Sequence, residues 1–132
     1  MTRSEFRDLL QRVADGWNRG DPRTAAECFA PDAIYVEPPD RQRYVGREAL
    51  YEFFRGDEPD PRPLSMVWHH LAYDPEDRLG FGEYSFSIPG RFAAHGVVIV
   101  TIREGLIGTW REYQYPSPVG FVEFAGDSLP ST

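Results

Sequence analysis

Four long runs in the second half of the chain, Leu64 to Tyr73, Leu79 to Ile88, Arg91 to Arg103 and Leu106 to Tyr115, are apolar or alternate apolar with polar residues. The links between them carry turn chemistry: Asp74-Pro75-Glu76-Asp77, Pro89-Gly90 and Glu104-Gly105. Long strands joined by tight turns pair with their sequence neighbours, so this half reads as an antiparallel meander. A sheet of that size needs an apolar cover on at least one face. The N-terminal half supplies it. Phe6, Leu9, Leu10, Val13 and Trp17 recur at helical spacing over Ser4 to Asn18, and Thr2 with Glu5 has the spacing of a capping box. Asp21-Pro22 reads as N-cap and first-turn proline of a short second helix through Phe29. Pro31-Asp32 turns the chain into a strand, Ala33 to Glu37. Pro38, Pro39, Asp40 and the polar residues after them read as a loop. Arg47 to Arg55 is a third helix with Leu50, Phe53 and Phe54 on one side.

The segment Gly56 to Pro63 is a proline-rich linker. The tail from Pro116 to Thr132 is rich in Pro, Ser and Gly, with Phe121, Val122 and Phe124 as residues that dock. The fold class expected is α+β: a cone-shaped, curved antiparallel β-sheet with three N-terminal helices over its concave face. It forms one domain over residues 1–132, with 116–132 a partly ordered tail. Three helices cannot cover a long curved sheet completely. The cone therefore keeps an open mouth, a natural place for a ligand.

Charge and composition exclude several functions. The net charge is −7, so no nucleic-acid partner is expected, since phosphate binding wants a basic stripe. No basic amphipathic helix and no run near the roughly 18 apolar residues of a membrane span argue for a membrane partner. The first residues lack a secretory apolar core, and a lone Cys28 excludes an internal disulfide, which fits a cytoplasmic setting. All 14 basic residues are Arg. Without a lysine there is no Schiff-base chemistry, no pyridoxal lysine and no P-loop lysine. The Gly80-x-Gly82 pair sits inside a meander with no helix after it, so it is not a dinucleotide fingerprint.

Three stretches carry a resemblance: Gly20-Asp21 through FAPDAIYVEP, ending at Pro38; GREALYEFF, Gly46 to Phe54; and EGLIGTWREYQYP, Glu104 to Pro116. In these, and in its element order, the chain resembles the nuclear transport factor 2-like superfamily, its SnoaL-like and ketosteroid-isomerase-like branch. The resemblance covers nearly the whole chain. It implies the cone fold. It leaves the reaction open, because such a fold hosts isomerases, cyclases, epoxide hydrolases, dehydratases and binders that catalyse nothing. In ketosteroid isomerases this strand ends with a general-base aspartate before a proline, and by that correspondence Glu37 takes the base position. The family's oxyanion-hole tyrosine corresponds to Val13 and its protonated aspartic acid to Ile99, both apolar here. The acidic residue of SnoaL-like cyclases corresponds to Gln114 or Tyr115.

Alternation then assigns faces. Trp110, Glu112 and Gln114 share one side of the last strand, which the resemblance places on the concave face. His95, Val97, Ile99 and Thr101 of the preceding strand are expected to join them. His69 and His70 are adjacent, so only one is expected to line the cavity, which argues against a metal pair. Glu83 alternates with Tyr84, and either can face inward. The catalytic candidates are Glu37, His95, Glu112 and Glu83. The wall candidates are Trp110, Tyr35, Tyr51, His69, His70, Gln114, Ile99, Val13 and Trp17. Carboxyls in an apolar cavity hold their protons more tightly, and two together raise one further. Such a set suits isomerisation, cyclisation or dehydration of a small hydrophobic carbonyl compound with no cofactor and no metal. A solvated Glu37 at a strand end, or a Glu112 paired with Arg103 or Arg91, would instead fit a small-ligand-binding or dimerisation module. Val98, Val100, Ile102 and Tyr113 fall on the convex face by the same alternation, so a homodimer through the sheet is expected.

Overall fold

The computed structural model describes residues 1–38, 42–56 and 64–126. Its elements are α1 (Arg3–Asn18), α2 (Pro22–Ala26), β1 (Phe29–Glu37), β2 (Gln42–Val45), α3 (Arg47–Arg55), β3 (Ser65–Asp74), β4 (Leu79–Ile88), β5 (Phe92–Arg103), β6 (Leu106–Pro116) and α4 (Phe121–Ala125). The strands form one curved sheet of six, ordered β2-β1-β6-β5-β4-β3. The meander β3 to β6 is antiparallel as expected. β1 returns across it to pair with β6 in parallel, which brings the two ends of the fold side by side.

Local chemistry explains the helices. The Thr2 hydroxyl accepts from the Glu5 amide while the Glu5 carboxylate accepts from the Thr2 amide, which closes the capping box of α1. The apolar face of α1 packs on the concave sheet: Phe6 stacks on Tyr73 with centroids 4.7 Å apart. The Trp68 indole donates to the Leu10 carbonyl at 2.9 Å. The Asn18 amide clamps both backbone groups of Met66. Gly80 and Gly82 make room on the sheet for side chains of the core. A Cβ at Gly80 would meet Phe6 Cζ at 2.2 Å, and one at Gly82 would meet Trp68 Cζ3 at 2.4 Å.

Three departures from expectation have local causes. α2 stops at Ala26 instead of Phe29, because the Cys28 carbonyl is taken by the Ile107 amide as the chain joins the sheet. Pro31-Asp32 is no turn; β1 already runs from Phe29, and its register against β6 jumps between Phe29 and Ile34. The stretch Gln42–Val45, read as loop, is strand β2, an antiparallel edge on β1 that places Tyr44 against Phe53 with ring centroids 4.0 Å apart. The tail forms the short helix α4, and Phe121 and Phe124 dock while Val122 stays 73% exposed. Residues 39–41 of the expected loop, 57–63 of the expected linker and 127–132 of the tail lie outside the described residues.

Two β-bulges decide which side chains face inward. The hairpin β5–β6 turns at Glu104 and Gly105, both at positive φ, and pairs Arg103 with Leu106. An uninterrupted ladder would then set Ile99 opposite Trp110. The register slips between Thr101 and Ile102, and Val100 faces Trp110 while Val98 faces Glu112. His95, Val97, Ile99 and Thr101 are thereby turned to the convex face, and Val98, Val100 and Ile102 to the core. The second bulge, between Trp68 and His70, leaves His69 unpaired and puts His70 opposite Glu83.

Candidate active site

Between the helices and the concave sheet lies a cavity of about 580 Å³. Its apolar walls come from α1 (Trp17), α3 (Phe53, Phe54), β3 with its lead-in (Leu64, Met66) and β4 (Phe86, Ile88). The Tyr35 and Trp110 rings lie parallel at 5.4 Å, and Trp17 stands edge-on to Trp110 at 5.7 Å. Polar groups converge on this wall from Glu37, Glu112, Tyr84, Gln114, Gln42 and Arg55.

The parallel β1–β6 pairing sets the centre of the site. Tyr35 pairs with Trp110 and Val36 with Arg111. Alternation then puts Glu37 and Glu112 at neighbouring places on the same inward face. Glu112 is surrounded by donors. Its Oε1 accepts from the Tyr35 hydroxyl at 2.8 Å and the Trp110 indole at 2.9 Å, and Oε2 lies 3.0 Å from the Tyr84 hydroxyl. Burial pushes the Glu112 pKa up, and these three hydrogen bonds act against that rise. Glu37 is different: among the described residues its carboxyl has no hydrogen-bond partner. Burial first, and the neighbouring Glu112 second, push its pKa up to about 8. Burial and the Glu112 charge likewise hold Tyr35 and Tyr84 in the protonated form.

The Tyr84 hydroxyl also lies 3.0 Å from Gln114 Oε1. A hydroxyl has one hydrogen, so only one of its two carboxyl and amide contacts is a donation from Tyr84. Either Glu112 carries a proton and donates to Tyr84, or Gln114 presents its NH₂ group there. Tyr84 thus links the protonation of Glu112 to the orientation of Gln114. Gly96 makes room for it, since a Cβ there would stand 2.6 Å from the Tyr84 hydroxyl.

The structure brings Glu37, Glu112, Trp110, Tyr35, Gln114 and Trp17 together on the cavity wall. Glu112 pairs with neither expected arginine; Arg103 meets Asp32 instead. The other candidates stand elsewhere. The bulge at Gly108 in the β5–β6 ladder turns His95 and Ile99 away. The β3 bulge turns both His69 and His70 outward, and Glu83 bonds His70 on the outer face at 2.8 Å. On that face His69 Nε2 contacts the Ser85 hydroxyl at 2.7 Å, Ser85 contacts His95 Nδ1 at 2.8 Å, and His95 Nε2 donates to the Val119 carbonyl at 2.7 Å. Phe121 stacks on His69 and Phe124 on His95, so these histidines hold α4 in place. Val13 is fully buried in the core without lining the cavity. Tyr51 lies under the Arg23 guanidinium, 3.7 Å from its ring centre. Cys28 is a buried thiol whose pKa burial pushes up to about 11. Sequence reasoning missed Tyr84 as a hydrogen-bond partner of Glu112 and missed Gln42, Phe53, Phe54, Met66, Phe86 and Arg55 as wall residues. For Phe53 and Phe54 the signal was the apolar side of α3; for Tyr84 there was none without the register.

Among the described residues no three His, Cys, Asp or Glu side chains gather into a metal-binding group, and no helix is long and apolar enough to cross a membrane. A curved, unclosed sheet wrapped around an N-terminal helical layer, with the cavity between them, defines the nuclear transport factor 2-like class. Within it, the sequence profile of the SnoaL-like domain matches residues 10–110, and the chain belongs to that family. No curated protein matches it. The fold is that of a protein of unknown function with a cystatin-like fold from Methylobium petroleophilum PM1, at 18% identity and TM-score 0.76 over 99% of this chain and 95% of that one. A putative ketosteroid isomerase from Kribbella flavida DSM 17836 is similar at 20% identity and TM-score 0.70, over 98% and 93%. An LEH-like epoxide hydrolase of M. tuberculosis is similar at 16% identity and TM-score 0.69, over 86% and 84%. At such identities the likeness is one of fold.

Proposed function

We propose that the cavity carries out cofactor-free acid–base chemistry on a small hydrophobic carbonyl compound, with Glu37 as the group that takes and returns the proton. One observation carries this reading: a carboxyl with no hydrogen-bond partner among the described residues, its pKa pushed by burial up to about 8, faces an aromatic cavity beside a second carboxyl held by Tyr35, Trp110 and Tyr84. Environments that differ this much give two carboxyls different work. Near pH 7 Glu37 is about nine-tenths protonated, so it serves as an acid as well as a base. Its ionised minority is a far stronger base than an ordinary glutamate.

The step is a proton transfer. Ionised Glu37 removes a proton from the carbon next to the carbonyl, and the electron pair moves onto the carbonyl oxygen. The Gln114 side chain, whose NH₂ group keeps a hydrogen free of Tyr84 in either arrangement, is a wall group able to donate to that oxygen as its charge develops. Glu37 then returns the proton to another carbon, which is isomerisation, or to a departing hydroxyl, which is dehydration. Closure of the enolate onto a second carbonyl is cyclisation. The names of the similar structures, an isomerase and an epoxide hydrolase, fit a cavity fold whose reaction is set by its lining residues.

Solvent exchange tests this without a known substrate. Small hydrophobic ketones are incubated with the protein in D₂O and followed by proton NMR. Exchange of the hydrogens next to the carbonyl is expected for the native protein and is lost in Glu37→Gln. Exchange at the same rate in both proteins would remove Glu37 as the base.

A further inference from the structure

The cavity is apolar over most of its wall, yet one full positive charge stands on it. Arg55, the last residue of α3, is the only basic side chain among the described residues that line it. Its side chain is 45% exposed, which places it toward solvent from the buried Tyr35 and Trp110. Among the described residues, Glu52 one turn back on the same helix forms an ion pair with it at 3.8 Å, beyond hydrogen-bond length. Among the described residues no acceptor lies within hydrogen-bond distance of the guanidinium, and the Glu52 contact is a loose, solvent-exposed pair. At the inner end neither carboxyl stands as an unmet charge: Glu37 keeps its proton near neutral pH, and Glu112 is hydrogen-bonded to Tyr35, Trp110 and Tyr84.

We propose that the compound taken by this cavity is an amphipathic anion: a flat apolar body seated against Trp17, Tyr35 and Trp110, with a carboxylate or similar anionic group held by Arg55 at the open end. The proposal rests on the reading of the cavity as a ligand site and names the class of compound it takes. A guanidinium presents a planar fork of donors that matches a carboxylate or sulfonate, while its aliphatic stem packs on apolar surface. The neighbouring Phe53 and Phe54 lie on the same wall. The two ends of the cavity are coupled. A bound anion disfavours ionisation of Glu37, and by reciprocity ionised Glu37 weakens anion binding.

A matched pair of fluorescent probes tests the assignment. 8-Anilinonaphthalene-1-sulfonate and N-phenyl-1-naphthylamine share one aromatic skeleton and differ by the sulfonate. Both are titrated into the protein at low salt, with quenching of Trp17 and Trp110 as the second readout. Both are expected to bind. Arg55→Gln is expected to weaken the sulfonate about fivefold and leave the neutral probe unchanged. Arg55→Lys, which keeps the charge, retains most of the affinity. Arg111→Gln, on the convex face, changes neither. Raising the pH through about 8 weakens the sulfonate alone, and Glu37→Gln removes that dependence. Equal effects of Arg55→Gln on both probes, or none on either, overturn the anionic anchor while leaving the proton chemistry of Glu37 untouched. Failure of both probes to bind overturns the anchor together with the open cavity. Loss of ketone exchange in Glu37→Gln is read independently of either result.

Discussion

Removing the candidate base is expected to make the protein more stable. Glu37 sits at a raised pKa, about 8 against 4.5 for a free glutamate, so the folded protein holds this proton more tightly than the unfolded chain does. Below about pH 4.5 both states are protonated and the site costs nothing. As pH rises from 4.5 toward 8, the unfolded chain releases its proton first, and stability is lost; above 8 the loss is complete. At about 1.4 kcal/mol per pH unit the full loss is about 5 kcal/mol. The carboxyl opens onto a cavity that water reaches, so screening reduces this to about 2 kcal/mol. Glu37→Gln replaces the carboxyl by a neutral group of the same shape. Its urea midpoint is expected to match the native one near pH 4. It should exceed it by about 1 M near pH 9, with an unchanged m value. The same variant loses ketone exchange, so stability and activity move in opposite directions. Parallel stability curves from pH 4 to 9 would refute the reasoning, because they would mean that Glu37 titrates as a solvated residue.

Glu112→Gln leaves one of the Tyr35, Trp110 and Tyr84 donors facing an NH₂ group; a loss of about 2 kcal/mol is expected. Glu37, titrated by carbon NMR, should then ionise closer to 4.5. Gly96→Ala drives a methyl within 2.6 Å of the Tyr84 hydroxyl and 2.8 Å of the Tyr113 carbonyl; thermal melting should show a cost of about 2 kcal/mol, and a variant as stable as the native protein contradicts the packing described. Ser85→Ala breaks the His69–Ser85–His95 chain beneath α4; limited proteolysis should cut faster within 117–125 while leaving the strands intact. The convex face exposes Val67, Phe81, Val97, Tyr113 and Tyr115, which supports self-association through the sheet; sedimentation at micromolar concentration should give twice the 15.1 kDa chain mass, and Phe81→Glu should return it to one.

Periodicity made the architecture legible. The α1 stripe, the Thr2–Glu5 cap, the bounds of α3 and the meander all follow from residue spacing, and the structure agrees. The facing of individual side chains was legible only where no extra residue intervenes. A single bulge near Gly108 inverts every assignment along β5, which moved His95 and Ile99 out of the expected cavity set. A second, at His69, defeats the rule that adjacent residues point opposite ways. Neither bulge has a strong local signal. Tyr35, Glu37, Trp110 and Glu112 were placed correctly because β1 and the inner half of β6 carry no such slip between them from Ile34 onward. The wall residues Met66, Phe86 and Arg55 come from elements whose approach depends on packing that spacing does not encode.

The parallel seam between β1 and β6 also sets a schedule. Tyr35 and Glu112 are 77 residues apart, so the carboxyl pair cannot assemble until the last strand has been made and has returned to the first. Closing so long a stretch is slow compared with forming a hairpin. Before closure Glu37 is an ordinary solvated carboxylate, ionised at neutral pH. Afterwards it holds a proton. Closing the seam therefore draws about one proton from solution near pH 7, and refolding in a weakly buffered indicator dye would report that uptake as the final event, after the meander has formed.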